Sequence, residues 1–396
     1  MKGLSNKWIS GLIPAILVYI SMGMIYCWSM IKGEIAYAMS CSATDIEMAF
    51  SLSLLCLGLT AAFGGKLVDY SEKLSAGLST FLFAVGMMGS IMAINLGSPL
   101  MFILMYGVVQ GIALGLGYLS PIKTLMAWFK GKEGWVLGIA MAAFAGSKMI
   151  FSPIIGELLR THGIMTVMGI LSAIGICCMC LATVLLKAPY DIIHKNVSWK
   201  VIKNSIFNTQ FMSIWGMMFL VVASAVAMIS YEKSMMLHID FVNVTTAVML
   251  IAGFNVAGRL LIPAFTQHFN NKASSYVYML FVCVVSVVVA LIDLTPFTLM
   301  VMLCICNLCY GGVFASAPIL LQDRFGSRNL ALLHGLLLTA WAAGGFFGDM
   351  LANFLFELLG SGGHVELIRK FFIFYMGALA ITFYGLFNKN NERISD

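Results

Sequence analysis

Apolar residues fill this chain in long runs, and short polar intervals separate them. Twelve of the runs approach or exceed the ~20 residues that a helix needs to cross the hydrocarbon core of a bilayer. The runs lack the alternation of barrel strands, and only helices satisfy their own backbone in lipid. The pattern predicts an all-α integral membrane protein with twelve transmembrane segments. They cover roughly residues 8–31, 47–68, 74–96, 99–127, 134–157, 163–187, 208–231, 243–266, 274–292, 297–320, 331–355 and 366–388.

The longest polar interval, residues 188–208, lies between the sixth and seventh segments. It divides the chain into two sets of six segments. We therefore predict an N-terminal half at residues 1–190, a cytoplasmic linker at 191–207 and a C-terminal half at 208–396.

A weak internal repeat supports two related halves. Matching residues recur at one offset of 197 positions, about half the chain, which is typical of a duplicated membrane module. The offset also places Arg259 opposite Ala62 and not opposite Lys66. The matching pairs are Pro121 with Pro318, Gly138 with Gly335, and Phe144 with Trp341.

The composition agrees with a protein that lives in lipid. Hydrophobic residues make up 61% of the chain and charged residues 10%, and the mean hydropathy is +0.96. A soluble domain carries about 25% charged residues. The net charge of +6 is scattered over loops, so no nucleic-acid partner is predicted; the expected partners are the lipid bilayer and a small molecule.

Lys and Arg in the loops predict the orientation. Of 23 such residues three lie in the body of a segment, and five lie in outer loops or at outer segment ends, which leaves fifteen in loops or at segment ends on the other side. The positive-inside rule then places both termini in the cytoplasm of a multi-pass cell-membrane protein. The five outer residues are Lys32, Arg160, Lys233, Arg369 and Lys370.

No arrangement of residues predicts catalysis, a cofactor or a metal. The chain has no H-E-x-x-H, Walker or Ser/His/Asp pattern and no nucleotide-binding domain. Nine of the ten cysteines fall inside apolar runs, which predicts packing and not a disulfide framework. We expect a protein that is not an enzyme.

Three basic residues lie within segments: Lys123, Lys148 and Arg259. Lys123 is near an inner end and can extend to the interface. Arg259 lies about eight residues before the inner end of its segment, ~12 Å into a core ~30 Å thick. An arginine there requires a wet cavity or a partner, and its planar fork suits a carboxylate; a structural pair is the alternative.

Lys148 lies near the middle of the fifth segment. Two residues after Gly146, it points ~200° away from the small-residue face. It therefore faces the centre or lipid, and lipid is the costly choice. We expect a second cation for the substrate, or else an ion pair with Asp349 or Glu157.

Several motifs resemble those of the oxalate/formate antiporter family of the major facilitator superfamily. The superfamily's G-x-x-x-D signature is matched by Gly65 to Asp69. The family motifs are similar to Tyr26-Cys27-Trp28-Ser29, Tyr118-Leu119-Ser120-Pro121, Trp128-Phe129, Gly258-Arg259, Tyr310-Gly311-Gly312, His334-Gly335 and Thr339-Ala340-Trp341.

The resemblance implies the superfamily fold of two pseudo-symmetric six-helix halves, and transport of a small carboxylate. It implies that Arg259 contacts the anion and that aromatic residues cage it. The eleventh segment has no Lys or Arg, whereas oxalate carriers are expected to have one there, so oxalate is an uncertain cargo. The candidate substrate-binding residues are Arg259, Lys148, Asn255, Tyr19, Tyr26, Tyr118, Tyr310 and Trp341.

Three carboxylates are candidates for proton coupling or gating: Asp349, Glu157 and Asp69. We predict a secondary transporter, a monomer, that moves a small mono- or dicarboxylate by exchange or with protons. The alternative is the same fold with another cargo, such as a drug or another metabolite. A sensor or scaffold is disfavoured, because only nine residues follow Phe387.

Overall fold

The computed structural model describes residues 7–129, 133–189, 207–238, 243–325, 330–360 and 363–387. Within these residues, twelve helices are long and apolar enough to cross a membrane. They are α1 (Trp8–Ala38), α2 (Ala43–Phe63), α3 (Glu72–Asn95), α4 (Pro99–Leu125), α5 (Val136–His162), α6 (Ile164–Leu185), α7 (Thr209–Leu237), α8 (Val244–Gln267), α9 (Ala273–Ile292), α10 (Pro296–Phe325), α11 (Leu333–Leu359) and α12 (Gly363–Phe387).

Polar side chains begin several of these helices. Ser42 caps α2: its hydroxyl accepts a bond from the Asp45 amide, and the Asp45 carboxylate accepts one from the Ser42 amide. Asn243 caps α8 through the amide of Thr246. Such caps satisfy amides that have no partner within the helix. The short loops of the sequence pattern thus become tight connections between neighbouring helices.

The twelve predicted segments are confirmed, but several helices run further than the apolar pattern indicated, α1 and α7 furthest of all. Helix α1 continues to Ala38 and α7 to Leu237. The assignment of Lys32, Lys233 and Arg160 to loops was therefore wrong, because all three lie within helices and Lys32 is buried. An apolar run marks the part of a helix that lies in lipid. The helix itself can continue beyond that run, through charged residues that neighbouring helices cover. Most of the predicted linker, at 191–206, lies outside the described residues, so the domain bounds remain a prediction.

Helix α1 changes its winding next to the site described below. A 3₁₀ turn at Met24–Cys27 interrupts the α-helix and contains Tyr26. A 3₁₀ turn in the middle of a helix frequently marks a functional hinge. All four residues of the turn are buried, so the turn lies inside the bundle and not at its surface.

The helices form two halves, α1–α6 and α7–α12, which meet through α2 against α11 and α5 against α8. The two contacts are equivalent under the internal repeat. A Cβ built at Gly138 of α5 would lie 3.7 Å from the carbonyl oxygen of Arg259, and one at Gly335 of α11 would lie 3.7 Å from that of Ala62. Both pairs are related by the offset of 197, so the packing supports the register that the sequence repeat indicated.

Candidate functional site: a buried arginine between the halves

Arg259 is buried in the interior of the helix bundle, with only 2% of its surface exposed. Its Nε donates to the Asn255 side-chain oxygen at 3.0 Å, one turn earlier on α8. One terminal nitrogen donates to the carbonyl oxygen of Met141 on α5, at 3.2 Å. These bonds hold the guanidinium between α5 and α8, at the interface of the two halves.

Glycines allow α8 to lie close enough to α10 for this arrangement. A side chain at Gly258 would collide with the backbone of Leu308, and one at Gly311 would collide with the backbone of Asn255. Small residues that let helix backbones approach are typical of packing in membranes. The close contact fixes the orientation of α8, and the residue after Gly258 is Arg259.

Aromatic rings surround the guanidinium. Its central carbon lies 5.0 Å from the ring centre of Phe314, 5.7 Å from that of Phe144 and 5.9 Å from that of Tyr310. Rings at these distances attract a cation through their negative faces. They do not neutralise its charge. Among the described residues, no carboxylate lies within ion-pair distance of Arg259.

A chain of hydrogen bonds joins the aromatic residues of both halves. The hydroxyls of Tyr26 on α1 and Tyr310 on α10 lie 2.7 Å apart. The indole nitrogen of Trp341 on α11 donates to the same Tyr310 hydroxyl at 2.9 Å. On the N-terminal side, the Tyr19 hydroxyl donates to the carbonyl oxygen of Tyr118 at 2.9 Å. Seven of the eight predicted substrate-binding residues are thus brought together, all except Lys148.

Two cavities adjoin Arg259. The first lies inside the aromatic cage and has a volume of only about 10 Å³, roughly the space of one water molecule. Its walls are Tyr19, Tyr26, Leu57, Tyr118, Met141, Phe144, Arg259, Phe314, Leu338 and Trp341. The second has about 330 Å³ and lies between α5, α8 and α10, from Arg259 to Gln267 at the end of α8. It leads towards the face where α1 begins and α12 ends, here called the terminal face.

Lys148 is not part of this site, contrary to the prediction. It forms an ion pair with Glu232 of α7, and both side chains are buried. Ser29 of α1 also donates to Glu232, at 3.5 Å. The expected alternative was an ion pair with Asp349 or Glu157, and neither is the partner. Sequence reasoning missed Glu232 because it follows the last residue of the predicted seventh segment.

The three predicted gating carboxylates have different surroundings. Asp349 is fully buried and accepts hydrogen bonds from Ser51 of α2, at 2.5 Å, and from Ser230 of α7. Glu157 is at the surface, bonded to Arg160 at 2.9 Å, so its position does not support a buried gate. The side chain of Asp69 lies outside the described part of the chain.

Sequence reasoning also missed Phe144, Met141 and Phe314 as walls of the site. Phe144 had a signal, because the repeat paired it with Trp341. Met141 contributes a backbone oxygen, and any residue type could do so. Two further buried charges, Lys32 and Glu47, form an ion pair at 2.9 Å. Lys32 follows the predicted end of the first segment, and Glu47 is the first residue of the second. No group of His, Cys, Asp and Glu that could hold a metal ion occurs among the described residues.

Twelve helices in two pseudo-symmetric halves are the architecture of a class of membrane transporters. The Major Facilitator Superfamily model matches residues 12–348, and the chain belongs to this family of transporters. It is similar to the uncharacterized MFS-type transporter YhjX of Escherichia coli, with 23% identity over 86% of each chain.

The chain is also similar to a transporter whose name states its cargo. The oxalate:formate antiporter of Oxalobacter formigenes is 22% identical over 88% of this chain and 84% of its own. Among solved structures, a bacterial homolog of the human lysosomal transporter Spinster matches with a TM-score of 0.64 and 12% identity. That match covers 96% of this chain and 99% of the other, and it shows the fold alone.

Proposed function

We propose that this chain is a secondary active transporter that moves a small organic carboxylate across the cell membrane by alternating access. The observation that carries the proposal is the buried guanidinium of Arg259, which has no carboxylate partner among the described residues. A buried charge without a counter-charge is costly, and a carboxylate ligand would complete it. The planar fork of arginine matches the two oxygens of a carboxylate.

The size and charge of the site favour an anion with one carboxylate. The cage around Arg259 is nearly closed, so a ligand enters only when its walls move apart. Lys148 is neutralised by Glu232, and α11 has no lysine or arginine, so Arg259 is the cation that the described walls of the cage offer to an anion. A dicarboxylate would leave its second charge without a partner. The relatedness to the oxalate:formate antiporter supports the class of cargo and not a particular acid.

The larger cavity supports a route for the anion. It connects Arg259 with the end of α8, at the terminal face. In the proposed orientation this face is cytoplasmic, because fifteen of the loop lysines and arginines were assigned to it. We propose that the protein works as a monomer in the cell membrane, either exchanging anions or carrying them together with protons.

The test is uptake of labelled formate, lactate, pyruvate and oxalate into proteoliposomes. The vesicles are preloaded with an unlabelled anion or with buffer, with and without a pH gradient. We expect uptake of a monocarboxylate that Arg259→Ala abolishes and Arg259→Lys reduces about tenfold or more, since hydrogen bonds to charged groups contribute ~1.5–3 kcal/mol. Arg160→Ala is the matched control, because Arg160 is exposed and bonded only to Glu157 among the described residues.

The outcome with Arg259→Ala separates the candidate cargoes. Uptake of a carboxylate that survives in this variant would contradict the anion site. No carboxylate uptake by the unaltered protein would leave another cargo, such as a drug or a different metabolite. Uptake that requires an internal anion identifies exchange, and uptake driven by the pH gradient alone identifies proton coupling.

A further inference from the structure

Five buried charges lie on the side of Arg259 away from the terminal face, here called the opposite face. This charge cluster joins the two halves through Lys148 with Glu232 and through Ser51 with Asp349. Its members come from five helices, α1, α2, α5, α7 and α11. The charged members are Lys32, Glu47, Lys148, Glu232 and Asp349, and each has less than a tenth of its surface exposed.

The two lysines of the cluster are already paired. Lys32 donates to one oxygen of Glu47 at 2.9 Å and lies 3.5 Å from the ring centre of Tyr231. The second oxygen of Glu47 accepts from the Trp28 indole at 2.9 Å. Lys148 is held by Glu232. The cluster therefore contains two cations and three carboxylates, and Asp349 is the carboxylate in excess.

The surroundings of Asp349 suit a neutral acid. Its direct partners are the hydroxyls of Ser51 and Ser230, and each can accept as well as donate a hydrogen bond. A carboxylate in a dry interior without a cation takes up a proton instead of keeping its charge. The titratable groups that interact with Asp349 are Lys32 on α1, Glu47 on α2 and Tyr231 on α7. The helices packed nearby also carry Glu357 on α11 beside Tyr231, Cys304 on α10 beside Glu232, and His364 on α12, bonded to Ser234.

We propose that Asp349 is a proton-binding site that locks the opposite face. When the halves close, the carboxylate leaves water and binds one proton, and when they part it is hydrated and releases the proton to the same side. No covalent bond other than the O–H bond of the carboxyl group changes. The proposal rests on the alternating access of the proposed function.

The sign of the pH dependence follows from this step. Closure consumes one proton, so acid on the opposite face favours the closed state, by up to tenfold in the closed-to-open ratio for each pH unit. Asp349→Asn resembles the protonated acid in shape and keeps both serine contacts. This variant should stay closed on the opposite face at every pH.

The first measurement is infrared absorption of the purified protein at neutral pH, without any anion. We expect the band of a protonated carboxyl group, which disappears in Asp349→Asn and persists in Glu157→Gln. Glu157 is the matched control because its carboxylate is exposed and paired with Arg160. A spectrum of the unaltered protein without this band, or a band that persists in Asp349→Asn, would overturn the proposal.

The second measurement is the distance between the halves at the opposite face, from spin labels in a cysteine-free background. Tyr37 of α1 and Ile292 of α9 are suitable positions, exposed to 84% and 80%. Acid should shift the distances to the closed value, and Asp349→Asn should show that value throughout. Distances that do not change with pH, or that change with the sodium concentration instead, would contradict the proton site. Neither measurement uses an anion, so their failure is distinct from a failure of carboxylate uptake.

Discussion

The arginine site and the charge cluster of the opposite face differ in how their buried charges are compensated. Arg259 is a single cation among neutral rings and amide or carbonyl oxygens. The cluster contains five ionisable groups, and its two lysines are each bound to a carboxylate. Both regions lie between the halves, and the charged side chains of both are buried. They differ in whether the protein itself supplies the counter-charge.

The difference indicates two roles for a buried charge in one bundle. A cation whose partner is absent favours a ligand that brings the opposite charge. Charges that are paired across an interface favour one arrangement of that interface, because parting the halves separates them. The first region therefore suits binding, and the second suits holding a conformation. Each prediction below alters one region and leaves the other as the reference.

The largest effect should come from breaking the ion pair of Lys148. Lys148→Met leaves Glu232 buried without a cation, which typically costs about 3–5 kcal/mol. We expect a marked drop in the midpoint of thermal unfolding in detergent. The double variant Lys148→Met/Glu232→Leu should recover most of the loss, because apolar residues of similar volume replace such pairs at little cost.

Arg259→Met is the comparison for this experiment. It removes a cation that has no carboxylate partner among the described residues, so it leaves no orphaned charge. We expect a smaller change in unfolding midpoint than for Lys148→Met. If both single variants were equally destabilised, or if the double variant were the least stable, the distinction between the two regions would be wrong.

A smaller effect is expected where α8 crosses α10. Gly258→Ala places a methyl group against the Leu308 backbone, so the helices must separate. Overpacking of this kind costs about 1–3 kcal/mol. Because Arg259 is the next residue, we also expect weaker anion binding, measured as a higher KM for uptake.

Gly253→Ala on the same helix is the control for the crossing. A methyl group there would meet only the Met149 sulfur, at an ordinary 3.8 Å. The two variants have the same change in helix propensity, so their difference reports the crossing alone. A Gly258→Ala protein with unchanged stability and unchanged KM would contradict the account of how α8 is positioned.

The twelve helices, and the position of Arg259 within one of them, could be predicted because lipid imposes one simple rule. A crossing helix needs a long apolar run, and a charge within such a run stands out. The aromatic residues of the cage were predicted through a family resemblance, and the structure brings them around Arg259. Their common location, near α1, α4, α10 and α11, follows from the superfamily arrangement and not from any local pattern.

The partners of the buried charges could not be predicted, for a physical reason. Lys32 and Glu232 lie beyond the apolar runs, where a hydropathy pattern cannot tell a loop from a helix covered by other helices. The pairing of Lys148 with Glu232 joins residues of different halves, and no sequence spacing indicates it. Asp349 was recognised as an embedded carboxylate, but its serine partners come from α2 and α7.

The smallest effect is expected within the aromatic cage, at the Tyr310 hydroxyl. Tyr310→Phe removes the atom that joins Tyr26 to the Trp341 indole and keeps the ring near Arg259. A hydrogen bond of this kind contributes about 1 kcal/mol, so anion affinity should fall by less than about tenfold. Tyr276→Phe is the control, because that hydroxyl is equally buried but bonds Ser316 outside the cage. If the two variants bound anion equally well, the hydroxyl chain would serve packing and not the site; a loss as complete as that of Arg259→Ala would instead make Tyr310 a direct ligand of the anion.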